Sequence, residues 1–265
     1  MSIPVALTIA GSDSSGGAGI QADLKTFHAF GVFGTSALTA ITAQNTRGVS
    51  AVHAVPADIV REQVHVVAND FDVRACKTGM LATRELVQLV GEVIRGEKLK
   101  NYVLDPVMVA TSGDRLLDSN AEAAILEHLL PLCAIVTPNL DEAAILAGFS
   151  VANESDMHKA AVALVSRGAQ AALVKGGHLQ QGQVVDVFYD GADFTLFRKD
   201  KIVTTSTHGT GCTLSAGIAA GLALGHPLDV AVSHALDFVD RAIREAPGLG
   251  HGSGPLNHFV ALPSS

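Results

Sequence analysis

Apolar runs of strand length alternate with amphipathic stretches of helix length along nearly the whole chain. No other feature narrows the possible folds as much. VALTIA (5–10) reads as a buried strand, followed by a Gly/Ser loop and a helix near 19–30. TSALTAIT (35–42), ACKTG (75–79), YVLDP (102–106), AIVTP (134–138) and AALVKGG (171–177) are further strand candidates. Helical periodicity falls at 58–70, 83–95, 120–131, 139–147 and 155–167, and again at 211–224 and 229–246. Strands separated by helices form βαβ units, so the sheet is expected to be mostly parallel, with right-handed crossovers covering both faces. VVDVFY (184–189) and FTLF (194–197) flank DGAD and read as a hairpin. No linker-like stretch or internal repeat divides the chain. The expectation is one α/β domain over 1–265, in three α/β/α layers. In such sheets ligands bind beyond the carboxyl ends of the strands, so the residues just after strands are the ones to inspect.

Composition removes several classes of function. With 48% hydrophobic and 17% charged residues the chain is not disordered. A formal net charge of -8 and the lack of a Lys/Arg cluster argue against nucleic-acid binding, which needs a basic field. No apolar run reaches the roughly 18 residues of a membrane span, and the N-terminus has no basic leader, so a cytoplasmic protein is expected. Three scattered cysteines, without CxxC, suit neither a disulfide framework nor a zinc site.

Two glycine-rich loops stand out. The first, AGSDSSGGAGIQADLK (10–25), follows the first strand and can present backbone N–H groups to a ligand. It is not a P-loop, because Gly17 stands where the lysine belongs. Residues 17–22 match GxGxxA, but ALTAITA at 37–43 lacks the acid a dinucleotide site wants. The second loop, THGTGCTLSAG (207–217), opens a helix of small residues. Gly209 and Gly211 let the backbone wrap an oxyanion at a positive helix terminus. Cys212 falls in the first turn, where a thiol is expected to have a lowered pKa and act as base or nucleophile. Cys76 and Cys133 lie in apolar strands and are assigned to the core; His178 and His208 are read as solvated bystanders.

Charged residues at other strand ends complete the set. Asp105 follows YVL, and Asn139 and Glu142 follow AIV, spaced to share a face of a first helical turn. Each carboxylate alone is as readily a helix cap as a ligand. Together, at two strand ends, they suit Mg²⁺, which takes few carboxylates and keeps its waters. Lys175 ends a third strand and can meet a phosphate as a point charge.

These loops, in this order, resemble the ribokinase-like kinases, which use a C-terminal GxGD loop and no P-loop. Here it reads Gly209-Thr210-Gly211-Cys212. Cysteine in place of the aspartate resembles one branch, the hydroxymethylpyrimidine/phosphomethylpyrimidine kinases of thiamine biosynthesis. TAQNT (42–46), KTGML (77–81), LDPVM (104–108), TPNLDEA (137–143), VKGGH (174–178) and GHGSGPLNH (250–258) agree with that branch, so the resemblance runs from residue 5 to about 258.

The resemblance implies a ribokinase-like fold. It also implies ATP- and Mg²⁺-dependent phosphorylation of 4-amino-5-hydroxymethyl-2-methylpyrimidine, then of its monophosphate. It further implies that Gln44, the Gly11 backbone and the Asp23 side chain hold the pyrimidine, with Met80 and Val107 on the ring. Asn139, Lys175 and Thr210 fall at ATP, Asp105 and Glu142 at Mg²⁺, and Cys212 with Gly209, Gly211 and again Lys175 at the reacting groups. The first loop is expected to help hold the phosphate of the monophosphate. A homodimer is common among similar kinases. Pyridoxal also carries a hydroxymethyl group on a nitrogen heteroaromatic ring, so a pyridoxal kinase is the nearest alternative. A non-catalytic sensor would not need Cys212, Asp105 and Lys175, and a thiol acyl-transferase would need an oriented histidine beside Cys212.

Overall fold

The structure is a computed structural model that describes residues 3–108, 119–177 and 182–261. Among them nine strands form one sheet, in the order β3-β2-β1-β4-β5-β6-β7-β8-β9. The centre is parallel: β1 (Val5–Asp13) lies between β2 (Phe33–Asn45) and β4 (Val73–Thr78), and β5 (Tyr102–Leu104), β6 (Ile135–Val136) and β7 (Ala172–Val174) continue it. Both edges are antiparallel. β3 (Gly48–Ala54) folds back on β2, while β8 (Gln183–Tyr189) pairs with β7 and with β9 (Phe194–Asp200).

Side chains alternate across a strand, and here they divide into two cores. Leu7, Cys76, Leu104, Val136 and Val174 face one cluster, covered by α2 (Ala57–Asp70), α3 (Arg84–Gly96), α5 (Leu140–Ala147) and α6 (Glu154–Ser166). Ala6, Ala75, Val103, Ile135 and Leu173 face the other, covered by α1 (Gly19–Ala29), α7 (Thr210–Ala223) and α8 (Leu228–Arg244). This is the expected α/β/α sandwich. Cys76 and Cys133 are both in the core. Gly217 and Gly221 let α7 press on α8, since a Cβ at either would come within 2.9 Å or less of the Cβ of Ala235 or Ala231. No helix of the described residues is long and apolar enough to cross a membrane.

Two segments differ from the sequence reading. The expected strand at 35–42 runs from 33 to 45 and hairpins into β3, which has no buried side chain and so no apolar signature. The expected helix over 120–131 is α4 (Ser119–Ala124), then one π turn over Ile125–Leu129 and a 3-10 turn over Leu130–Leu132. Pro131 lacks an amide proton and cannot continue an α-helical ladder.

Candidate active site

A cavity of about 680 Å³ opens beyond the carboxyl ends of the parallel strands. It brings together residues from distant loops: Gly11, Gln44, Met80 and Val107 on one side, and Asp105, Asn139, Glu142 and Lys175 on another. The run Gly209-Thr210-Gly211-Cys212 completes the wall. Of the expected site residues only Asp23 is missing from the lining.

The wall is shaped by backbone. Gly209 caps α7 at φ 82, in the left-handed region, and no side chain caps the helix. Thr210 N turns back onto Thr207 O at 3.3 Å, so the donors this helix start can offer at the cavity wall are the N–H groups of Gly211 and Cys212. A Cβ on Gly211 would stand 3.3 Å from Lys175 Nζ and 3.8 Å from Asp105 Oδ2, so the bare backbone sits directly on these two charges. The Thr210 hydroxyl donates to Thr207 O at 2.7 Å and braces the loop.

Beneath the loop runs a buried chain of charges. Asp105 accepts from Ser215 Oγ at 3.0 Å and lies 3.7 Å from Lys175 Nζ and 3.9 Å from Lys77 Nζ. Lys77 donates to both oxygens of Asp23 at 2.9 Å, and Thr8 Oγ1 donates to Asp23 at 2.6 Å. Asp23 is fully buried. Its expected place against the pyrimidine is therefore corrected: α1 turns it inward, where it neutralises Lys77 under the cavity floor. Asp186, which the sequence reading did not single out, lines the cavity and accepts from Gly176 N at 2.9 Å, fixing the turn after Lys175.

Asn139 and Glu142 form a reciprocal capping box at the start of α5: Glu142 N donates to Asn139 Oδ1 at 2.9 Å and Asn139 N to Glu142 Oε2 at 2.8 Å. The cap lines the cavity, so the capping role leaves both side chains at the expected site. Burial pushes the Glu142 carboxyl up to about 7; Lys175 opposes this and the Asp105 charge adds to it. Two crowded carboxylates of this kind fit a hard divalent cation that relieves their repulsion. Among the described residues no group of three or more His, Cys, Asp or Glu side chains could hold a metal ion.

Cys212 is half-buried, and its thiol differs from the expectation. Burial pushes its pKa up to about 11, with Lys77 pulling it down and Asp23 and Asp105 pushing it up. The helix terminus does not make a resting thiolate.

The first loop also departs from its sequence reading. The N–H groups of Ser15, Gly17 and Ala18 are already used. Asp13 accepts at Oδ1 from Ser15 N and Ser15 Oγ, both at 2.8 Å, and at Oδ2 from Gly17 N at 3.1 Å and Ala18 N at 2.8 Å. The chain fills its own anion nest, so this loop does not offer those groups to a second phosphate. His208, read as solvated, is buried, with Nε2 2.8 Å from Asp13 Oδ2. His178 lies outside the described residues. Asp13 and Lys77 were open to a sequence reading only as charged residues at strand ends. Nothing local marks His208, whose partner is 195 residues away.

Gln44 is held through its backbone, where Ser14 Oγ makes hydrogen bonds of 2.8 and 2.7 Å with its N and O. Thr42 Oγ1 donates to Ser12 O at 2.7 Å and lies 3.2 Å from the Gln44 amide, which rests at the cavity wall. Met80 packs on Gly11, where a Cβ would meet Met80 Cε at 2.5 Å.

Comparison with known proteins adds to this geometry. A family model described as phosphomethylpyrimidine kinase matches residues 13–257. The chain belongs to the phosphomethylpyrimidine kinase family. It is 54% identical over 258 residues to the hydroxymethylpyrimidine/phosphomethylpyrimidine kinase of Rhizobium meliloti, covering 96% of this chain and 97% of that one. Among solved structures, phosphomethylpyrimidine kinase from Clostridium difficile superposes with a TM-score of 0.82 at 40% identity, covering 91% of this chain and 100% of that one. The ADP complex of Bacillus subtilis pyridoxal kinase superposes with a TM-score of 0.90, also at 40% identity, covering 97% and 98%. The family's ribokinase-like architecture thus accounts for the sheet order and for a cavity at the strand ends.

Proposed function

We propose that this chain is a phosphotransferase that moves the γ-phosphoryl group of ATP to the hydroxymethyl oxygen of 4-amino-5-hydroxymethyl-2-methylpyrimidine, and then to the phosphate of the resulting monophosphate. The observation that carries the reading is the meeting of the Gly209–Cys212 backbone with Lys175 and Asp105 in the cavity that also holds Gln44 and Met80. Phosphoryl transfer through a loose transition state needs positioning and charge neutralisation more than covalent chemistry. The N–H groups at the start of α7 donate to the equatorial oxygens of the moving group. Lys175 and Asn139 hold the ATP phosphates, and Thr210 braces the loop around them. Gln44, with its amide at the cavity wall, and the Gly11 backbone bind the edge of the pyrimidine, and Met80 and Val107 pack on its ring. Asp105 and Glu142 hold Mg²⁺, which neutralises charge on the bound phosphates. Cys212 Sγ faces the hydroxymethyl oxygen. With its thiol pushed up to about 11 and so protonated at rest, Cys212 chiefly orients that oxygen; it takes the hydroxyl proton only as the minor thiolate, after its own proton has left to solvent. The reading takes the chain as one kinase domain working in the cytoplasm as a homodimer.

The second reading is pyridoxal phosphorylation by the same machinery. It is favoured by the likeness to pyridoxal kinase, at a TM-score of 0.90. Mass spectrometry after incubation with Mg-ATP and the hydroxymethylpyrimidine tests the first. Monophosphate followed by diphosphate is expected. No phosphorylated pyrimidine, with pyridoxal phosphate formed in a parallel reaction, would overturn the substrate and keep the fold and anion loop.

A further inference from the structure

Asp13 and His208 belong to the two glycine loops, and no role in phosphoryl transfer follows from their position alone. Both side chains are buried at the cavity wall, 7% and 2% exposed for His208 and Asp13. The Asp13 carboxyl is buried, which raises its pKa, but the donors from His208, Ser15 and Ala18 together outweigh burial and hold it below its ordinary value. An ionised carboxylate only accepts, so His208 donates from Nε2 across the 2.8 Å contact. The same carboxylate gathers the N–H groups of Gly17 and Ala18. One anion therefore ties the first loop to the residue directly before Gly209. The fit around it is tight. A Cβ on Gly17 would come within 2.5 Å of His208 Cδ2, and a Cβ on Gly209 would stand 2.8 Å from the carbonyl carbon of Gly17. From the far side, His208 N donates to Gly254 O at 3.1 Å.

We infer that the Asp13–His208 contact is a buried strut that sets the anion loop against the substrate loop, and that His208 is a positioning residue for phosphoryl transfer. This rests on the kinase reading above. The strut carries no ligand itself. It fixes the distance between the Gly11 and Gly19 backbone, on the alcohol side, and Gly209 to Cys212, on the phosphoryl side. Near-attack geometry is sensitive to shifts of about an ångström.

The test compares His208→Ala with His208→Gln, whose amide nitrogen reaches close to the Nε2 position. Turnover is measured with whichever alcohol, the pyrimidine or pyridoxal, the unaltered enzyme phosphorylates. In His208→Ala, kcat is expected to fall about 100-fold while both KM values move less than about threefold. His208→Gln is expected to recover about tenfold of that loss. Asp13→Asn should lose at least as much as His208→Ala, because it also disturbs the Ser15, Gly17 and Ala18 donors, and the double variant should be no worse than Asp13→Asn alone. A second readout needs no substrate: the alkylation rate of Cys212 by iodoacetamide, with Cys76 and Cys133 buried in the core. That rate should change in His208→Ala and return in His208→Gln. If neither alcohol is phosphorylated, the kinase reading fails on its own and the alkylation rates alone judge the strut. Should His208→Ala not fold, His208→Asn, which moves the donor back from Asp13, is read in both assays. Retention of kcat within about threefold, or an unchanged alkylation rate, would overturn the inference. So would a His208→Gln variant as impaired as His208→Ala, because any intrusion at this site would then explain the loss.

Discussion

Substituting Gly209 by alanine should disable the enzyme without unfolding it, and the size of the effect follows from geometry. The added Cβ would lie inside van der Waals contact of the Gly17 carbonyl oxygen, 2.8 Å from its carbon and 3.2 Å from Ala18 Cα. Carbon–carbon contacts relax near 3.5–4.0 Å, so the two loops must part by about an ångström. That displacement alone predicts a loss of about 100-fold in kcat. Gly209 also has φ 82, which costs an L-residue roughly 1–2 kcal/mol. Gly225→Ala separates the two causes: Gly225 has φ 87, but nothing lies within 4 Å of its Cβ position. The strain cost is then shared and the clash is not. Thermal unfolding and steady-state kinetics on both variants are the assay. Both are expected to lose the shared strain cost in stability, Gly209→Ala more because of its clash, and only Gly209→Ala to lose turnover. Equal turnover losses, or a Gly209→Ala enzyme within about threefold of the unaltered kcat, would refute the claim that interlocked loops set the reaction geometry.

Cys212→Ala is expected to lose about 100-fold in kcat, the low end for a proton-transfer group, because the thiol is not ionised at rest. Calorimetry should still show ATP and pyrimidine binding; loss of both would make Cys212 structural. Lys77→Met strands Asp23 in the core and should destabilise the fold by about 3–5 kcal/mol, with Lys77→Met/Asp23→Leu recovering part of it in urea melts. An unchanged melt would mean the pair is not buried as described. His258 gives a pH signature. Burial first, then Lys25, lowers its pKa from 6.5 to about 4. The unfolded chain thus takes up a proton between those values that the folded chain refuses. The associated stability is full above pH 6.5 and is lost as pH falls toward 4, by at most about 3 kcal/mol. His258→Gln should flatten that part of the stability profile; an unchanged slope would refute the assignment.

Much of the site was legible because each functional loop follows a recognisable strand and carries an unusual pair of residue types. Asp105 after YVL, Asn139 and Glu142 after AIV, and Lys175 after ALV all fall where a parallel sheet puts its ligands. Long-range pairing was not legible. The sequence of the first loop looks like an anion cradle, and only the fold reveals that Asp13 occupies it. His208 reads as a loop histidine until the chain from Ser253 to Pro255 closes over it. Asp23 sits among residues of the first motif, but its position on the inner side of α1 pairs it with Lys77 from β4. The Cys212 pKa was misjudged for a related reason: the helix terminus was visible in the sequence, while the burial that outweighs it was not. β3 escaped because an exposed edge strand needs no apolar pattern.

The most direct test of the central claim is a one-pot competition. Equimolar hydroxymethylpyrimidine and pyridoxal are offered with Mg-ATP, and products are followed by mass spectrometry at early times, so that the ratio reports relative kcat/KM. Pyrimidine monophosphate should form first and faster, with diphosphate accumulating as the monophosphate is consumed. Pyridoxal phosphate as the dominant early product, with no pyrimidine diphosphate at completion, would contradict the assignment.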